Sequence, residues 1–201
     1  MNCKKGGYVH KRHDGLRDVI AKMVDGIAYD VQTEPHLEPV TGELLQPSTN
    51  TEDEARLDIA ARGFWQRGEK AFFDVRVFNP FAKSYLCRNL ESLFKQHETE
   101  KKREYNDRVI RIEHGSFTPI VTSAYGGYGR ETSRFVSTLI DKIAEKQKSN
   151  KSIVANYVRT KLSFEIVKSQ VLCIRGSRSL RKTNIDLAEI DVVQNVAEIR
   201  Q

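Results

Sequence analysis

The chain has 201 residues, 39% apolar and 30% charged, with a formal net charge of +6. That is length enough for one domain with a real core, and the composition is that of a folded, water-facing protein rather than a disordered one. No apolar run approaches the roughly 20 residues of a membrane helix, and the N-terminus "MNCKKGGYVHKRHDG" lacks the apolar core of a secretory signal. The basic excess points to a nucleic-acid partner, because phosphate backbones reward Lys and Arg. It is also what a plain basic protein carries. Cys3, Cys87 and Cys173 are odd in number and far apart, so they form neither a disulfide framework nor a metal pattern, and a reducing compartment, nuclear or cytoplasmic, follows.

Residues 13–29 read as a helix, with Leu16, Val19, Ile20, Met23, Val24 and Ile27 on one stripe. "YDVQTEPHL" reads as a short strand running into a Pro turn, and 40–53 as a polar loop. Residues 55–65 and 70–79 read as two strands joined by "QRGE", a hairpin. A long charged helix is expected over 88–112, a strand at "SFTPIVTSAYGG", and helices at 131–148 and 151–174. The last 25 residues are charged and marginally amphipathic, a terminal helix or a loose tail. A helix between the third and fourth strands is a crossover. The expected fold is therefore α/β, a mixed sheet of about four strands in the order αβββαβ, flanked by helices, with extra C-terminal helices.

Two carboxylates stand inside runs that otherwise look like buried strand, Asp58 and Asp74. An unpaired buried carboxylate is costly. In a hairpin the two can share one sheet face, and clustered acids of this kind, with Glu34 at the end of the first strand, suit a hard divalent cation, Mg²⁺ or Mn²⁺. Such an ion activates water and steadies a phosphoryl oxyanion. On the long helix Leu90, Phe94, His97, Lys101, Tyr105 and Arg108 share a face, so Lys101 emerges beside the acids, while Lys102 points about 100° away. The alternatives are an Asp58 exposed on a strand face, an Asp74 paired with Arg76 or Arg56, and a solvated charged helix. "GGYGRE" at 126–131 is either a phosphate cradle or, as the missing Lys-Ser/Thr suggests, a tight strand–helix turn. Phe64, Trp65, Phe72 and Phe73 read as packing, and His97 as a partly buried helix residue. The run "RGSRSLRK" at 175–182 suits a DNA backbone or a solvated linker equally.

These segments resemble the restriction-like endonuclease domain, of the PD-(D/E)XK superfamily, found in non-LTR retrotransposons and in reverse-transcriptase-like transposon proteins of invertebrates. The matching segments span most of residues 3–178. "CKKGG" resembles the end of a zinc knuckle, "KRHDGLRD" the motif opening the first helix, and "TEPHLEP" carries the early acid. "ARLDI" stands where the family has Pro-Asp and "AFFDVRV" where it has the second acid. "EKKREY" resembles the lysine-bearing helix, and "KLSFEIVKSQVLCIRGSRS" the closing segment. The resemblance implies 1–10 as a remnant of a zinc-knuckle linker, 11–175 as the nuclease-like domain and 176–201 as a basic, amphipathic tail. It implies Mg²⁺- or Mn²⁺-dependent nicking of target DNA, with Asp58 and Asp74 as metal ligands, Glu34 as a further ligand or water holder, and Lys101 as the catalytic lysine. Arg12, His13, Arg17, Arg76, Lys102, Arg175 and Arg178 are the candidate DNA contacts. Element RNA or a reverse transcriptase, in cis or in trans, is an implied partner, and a dimer is one route to cutting both strands. Leu57 replaces the family's Pro, and Asp-Val-Arg replaces acid-x-Lys, so the lysine must come from the helix. Only Cys3 of a knuckle is present. The chain thus reads as a fragment, a stand-alone derivative or a decayed copy, and a nuclease fold that holds DNA without cutting it is the alternative function.

Overall fold

The computed structural model describes residues 7–40 and 44–176; Cys3, Arg178 and the 177–201 tail lie outside the described residues. The elements run α1 (Tyr8–Asp25), β1 (Tyr29–Thr33), β2 (Ile59–Arg62), β3 (Lys70–Phe78), α2 (Leu90–Arg111), β4 (Ser116–Ser123), α3 (Arg130–Gln147) and α4 (Lys151–Gly176). The fold is mixed α/β, with one four-stranded sheet in the order β1-β2-β3-β4. β1, β2 and β3 pair antiparallel, and β3 pairs parallel with β4. The expected element order is thus the observed one, with α2 as the crossover that a parallel pair requires. Pro119 sits in β4, an edge strand, where a missing ladder N–H is tolerated.

Alternation along β3 divides the molecule into two layers. Ala71, Phe73 and Val75 face α1, α3 and α4, joining Leu16, Ile20, Val24, Ile59, Phe135 and Leu139 in the larger core. Phe64, Phe73 and Phe135 stack and cross there at 4.8–5.1 Å. Phe72 looks the other way, toward Tyr105, Val109 and Phe117 in a second cluster beneath α2. Asp74 has the parity of Phe72 and therefore points to the α2 side. Trp65 donates its indole N–H to Thr118 Oγ1 at 3.1 Å, so these aromatics are packing elements, as their spacing suggests.

Three boundaries differ from expectation. α1 begins five residues earlier than residue 13, because Arg12, four residues before Leu16, takes the inward position of the extra turn as a buried guanidinium. β2 is only four residues long. Residues 55–57 instead bond to the 35–37 segment, Leu37 N–H to Ala55 O and Leu57 N–H to Pro35 O. Gly63, at φ 84°, turns the chain out of β2 and drops Phe64 into the core.

α2 starts at Asn89, whose side chain accepts the Glu91 N–H at 2.8 Å. Its buried face carries Phe94, His97, Tyr105 and Arg108, as the 4, 3, 4, 4, 3 spacing requires, while Leu90 is exposed. The "GGYGRE" stretch is a turn. Gly126 and Gly127 take left-handed φ of 89° and 83°, and Glu98 Oε1 accepts the Glu131 N–H at 2.9 Å, occupying the start of α3. A Cβ on Gly129 would meet that carboxylate, which would have to shift to admit it. No helix among the described residues is long and apolar enough to cross a membrane.

Candidate functional site

The hairpin register builds the site. Ile59 lies opposite Phe73 at the end of the β2–β3 ladder, and Asp58 and Asp74 are the residues just beyond that pair, close enough for the Asp58 charge to act on Asp74. The ladder stops there, and the Asp58 carboxylate takes the place of a backbone acceptor, receiving the Val75 N–H at 2.5 Å. Its Oδ2 also lies 3.1 Å from His13 Nε2 of α1, and the other ring nitrogen of His13 is 3.2 Å from Asp14. From α2, Lys101 Nζ reaches Asp74 Oδ2 at 3.1 Å and Glu104 Oε2 at 3.6 Å. His13, Asp74, Val75, Arg76, Lys101 and Glu104 line a cleft of about 410 Å³.

The electrostatics follow from burial. Desolvation pushes the Asp74 carboxyl up to about 6, and Asp58 adds to the rise; Lys101 opposes it without cancelling it. Burial works against the Lys101 ammonium, but Asp74 and Glu104 outweigh it and hold the amine above its ordinary range. The hydrogen bond to Asp58 is the main reason His13 rises to about 9. At neutral pH His13 and Lys101 are therefore both cationic beside a largely ionised Asp74.

These shifts have consequences for stability. A raised acid leaves the folded state with the extra proton between the two pKa values, so the Asp74 contribution falls as pH climbs from about 4 to about 6 and stays low above that. The sign for His13 is that its contribution is complete below about 6.5 and is lost as pH rises through about 9. Asp74→Asn removes the buried charge and keeps the shape. It is expected to melt as if stabilised by on the order of 1–3 kcal/mol at pH 8, with the gain vanishing toward pH 4. Denaturant titrations of both proteins across that range check this; a variant no more stable than the wild type at pH 8 contradicts the burial argument.

The other candidates expected from the sequence are spread around the domain. Glu34 is not brought to the acid pair: its N–H bonds to Asp58 O at 2.9 Å, but its half-exposed carboxylate is held by Arg17. Arg17 also pairs with Asp18 at 2.9 Å and Asp14 at 3.6 Å, so three carboxylates hold it. Arg12 is buried, and that burial lowers its pKa; its neighbours include Cys173 and Tyr125, so it does not offer a guanidinium to the surface. Arg76 lines the cleft while paired with Glu100 at 2.9 Å. Lys102 points away from the cleft, as its position on the helix predicts, and binds Glu131 at 2.6 Å. Arg175 is exposed near the end of α4.

Glu104 is a site residue that pattern reading does not single out. It lies three positions after Lys101 on the same helix face, and that spacing is the available signal. Among the described residues no group of three or more His, Cys, Asp or Glu is arranged to hold a metal ion. The oxygen donors the cleft region does bring together are the two carboxylates of Asp58 and Asp74. Asp74 Oδ2 is buried without a well-formed hydrogen bond, in contact with a lysine ammonium. Oxygen-only donors in small number fit Mg²⁺, which keeps several of its waters.

No protein-family model matches the chain, and no curated protein matches it.

Proposed function

We propose that the protein is a metal-dependent DNA endonuclease of the restriction-like PD-(D/E)XK type, with retrotransposon-type target nicking as its activity. The observation that supports it most is that Asp58 and Asp74 adjoin at the end of the β2–β3 ladder, with Lys101 3.1 Å from the latter. Two adjoining acids and a lysine from a crossover helix are the groups that phosphodiester hydrolysis needs. The αβββαβ order agrees with the same reading.

In this reading Asp58 and Asp74 hold Mg²⁺ or Mn²⁺, which when bound polarises a phosphate oxygen and lowers the pKa of a coordinated water. Lys101 orients the attacking water and offsets charge developing on phosphate. Asp74 fixes the Lys101 ammonium from one side and Glu104 from the other, so the amine stays protonated and aimed. The Val75 N–H and His13 fix the Asp58 carboxylate. Arg76, at the cleft wall, exchanges Glu100 for backbone phosphate, and the net positive charge of the chain draws DNA to it. Free cysteines at 87 and 173 fit a nuclear or cytoplasmic setting.

Asp58→Ala is expected to lose Mg²⁺- and Mn²⁺-dependent plasmid nicking while still unfolding cooperatively. DNA held equally in EDTA and in Mg²⁺ by a wild type that never nicks would replace this reading with the non-cutting DNA-binding module.

A further inference from the structure

α4 is apolar on two opposite sides. One side, Val154, Val158, Leu162 and Ile166, is buried, the first three within the main core. The other carries Ile153, Tyr157, Phe164, Val167 and Val171, exposed at 68, 54, 63, 52 and 41%. Their steps of 4, 7, 3 and 4 keep them on one stripe, with Thr160 in the gap. That is the spacing of a coiled-coil seam, and a helix apolar on both sides normally has a neighbour on each. Beside the stripe Lys161, Lys168 and Arg175 recur at seven-residue intervals, a basic row in the flanking position that selects partners, Lys168 being also 3.5 Å from Glu165.

We propose that the stripe is the dock for residues 184–199 of the same chain. These lie outside the described residues, and their sequence pattern is what fits them to the stripe. Ile185, Ala188, Val192, Val196 and Ile199 recur at 3, 4, 4 and 3, a continuous helical stripe, with Leu187, Ile190 and Val193 on the other side of the same helix. Asp186, Glu189, Asp191 and Glu198 are the charged residues of this segment, all acidic, so it complements the basic row. Thr183 or Asn184 is a suitable N-cap. The lengths agree as well. Tyr157 to Val171 and Ile185 to Ile199 each span about 21 Å as helix. Residues 177–183 join them with a connector in the usual range for adjacent helices. A second copy laid antiparallel on the stripe fits less well, since it brings the basic row of one copy against that of the other.

Hydrogen exchange on the full chain tests this. Amides of 185–199 are expected to exchange at least about tenfold more slowly than a free chain, independent of protein concentration. In Val192→Asp/Val196→Asp they are expected to return to free-chain rates, while protection of α1 and the sheet is unchanged. Lys161→Glu/Lys168→Glu is expected to speed exchange in the same segment. Free-chain rates in the wild type overturn the proposal. So does slow exchange that survives Val192→Asp/Val196→Asp, or protection that disappears on dilution along with a dimer that Phe164→Asp abolishes, which would make a second copy the occupant.

Discussion

Lys101→Met is expected to lower the rate of metal-dependent DNA nicking by about 10²–10³-fold while leaving DNA affinity close to that of the wild type. The factor is that of removing one preorganised group aimed at transition-state charge. Methionine keeps the length and apolar stem of the side chain, so the packing of α2 over the sheet survives. What disappears is the ammonium 3.1 Å from Asp74 and 3.6 Å from Glu104. Because Lys101 opposes the burial-driven rise of Asp74, the variant should also hold the Asp74 proton to higher pH. The residual activity should therefore need more alkaline conditions than the wild type. Initial rates on supercoiled plasmid across pH, beside binding in EDTA, check both parts. A variant within twofold of wild type would remove Lys101 from the chemistry and leave Arg76 as the cation to examine.

Arg108→Ala is expected to cost about 3–5 kcal/mol of stability, the largest loss among single substitutions that do not touch the cleft. Arg108 is fully buried on α2 and donates to three backbone carbonyls, Asn50 and Glu52 through Nη1 at 3.1 and 2.8 Å, and Glu38 through Nη2 at 2.8 Å. It ties both ends of the long loop between β1 and β2 to the crossover helix. Alanine leaves those carbonyls without donors and opens a cavity. Arg108→Lys should rescue little, since a single ammonium cannot span the positions that the guanidinium fork reaches. The loop touches the site region as well: Asn50 N–H bonds to Glu104 O at 2.7 Å, and Asn50 Nδ2 lies 3.5 Å from the Tyr105 hydroxyl. Denaturant midpoints with unchanged m-values read the loss directly. A cost below about 1 kcal/mol would mean that water replaces the guanidinium without penalty.

The roles of Arg108 and Lys101 show what periodicity conveys and what it omits. Spacing places both on the inward face of α2, and strand alternation turns Asp74 toward that face, so the acid–lysine contact follows from pattern alone. The fate of Glu34 does not. Its carboxylate goes to Arg17, 17 residues earlier, across a helix–strand packing that no local repeat encodes. Arg12 likewise reads as a surface cation, because a short periodic pattern does not distinguish a buried guanidinium from a solvated one. The strand end at 55–57 is blurred for a related reason. Those residues are extended and alternate like a strand, but their partners are 35–37 rather than β3, and pairing choice is a property of the fold.

If Asp58 and Asp74 lie side by side to hold a catalytic metal, nicking of supercoiled plasmid in Mg²⁺, Mn²⁺ and EDTA, by the wild type beside Asp74→Asn, tests that role most directly. The expected result is nicking by the wild type in either metal, none in EDTA, and none by Asp74→Asn although that variant is the more stable protein at pH 8. Nicking by Asp74→Asn at the wild-type rate, or by the wild type in EDTA, would contradict it.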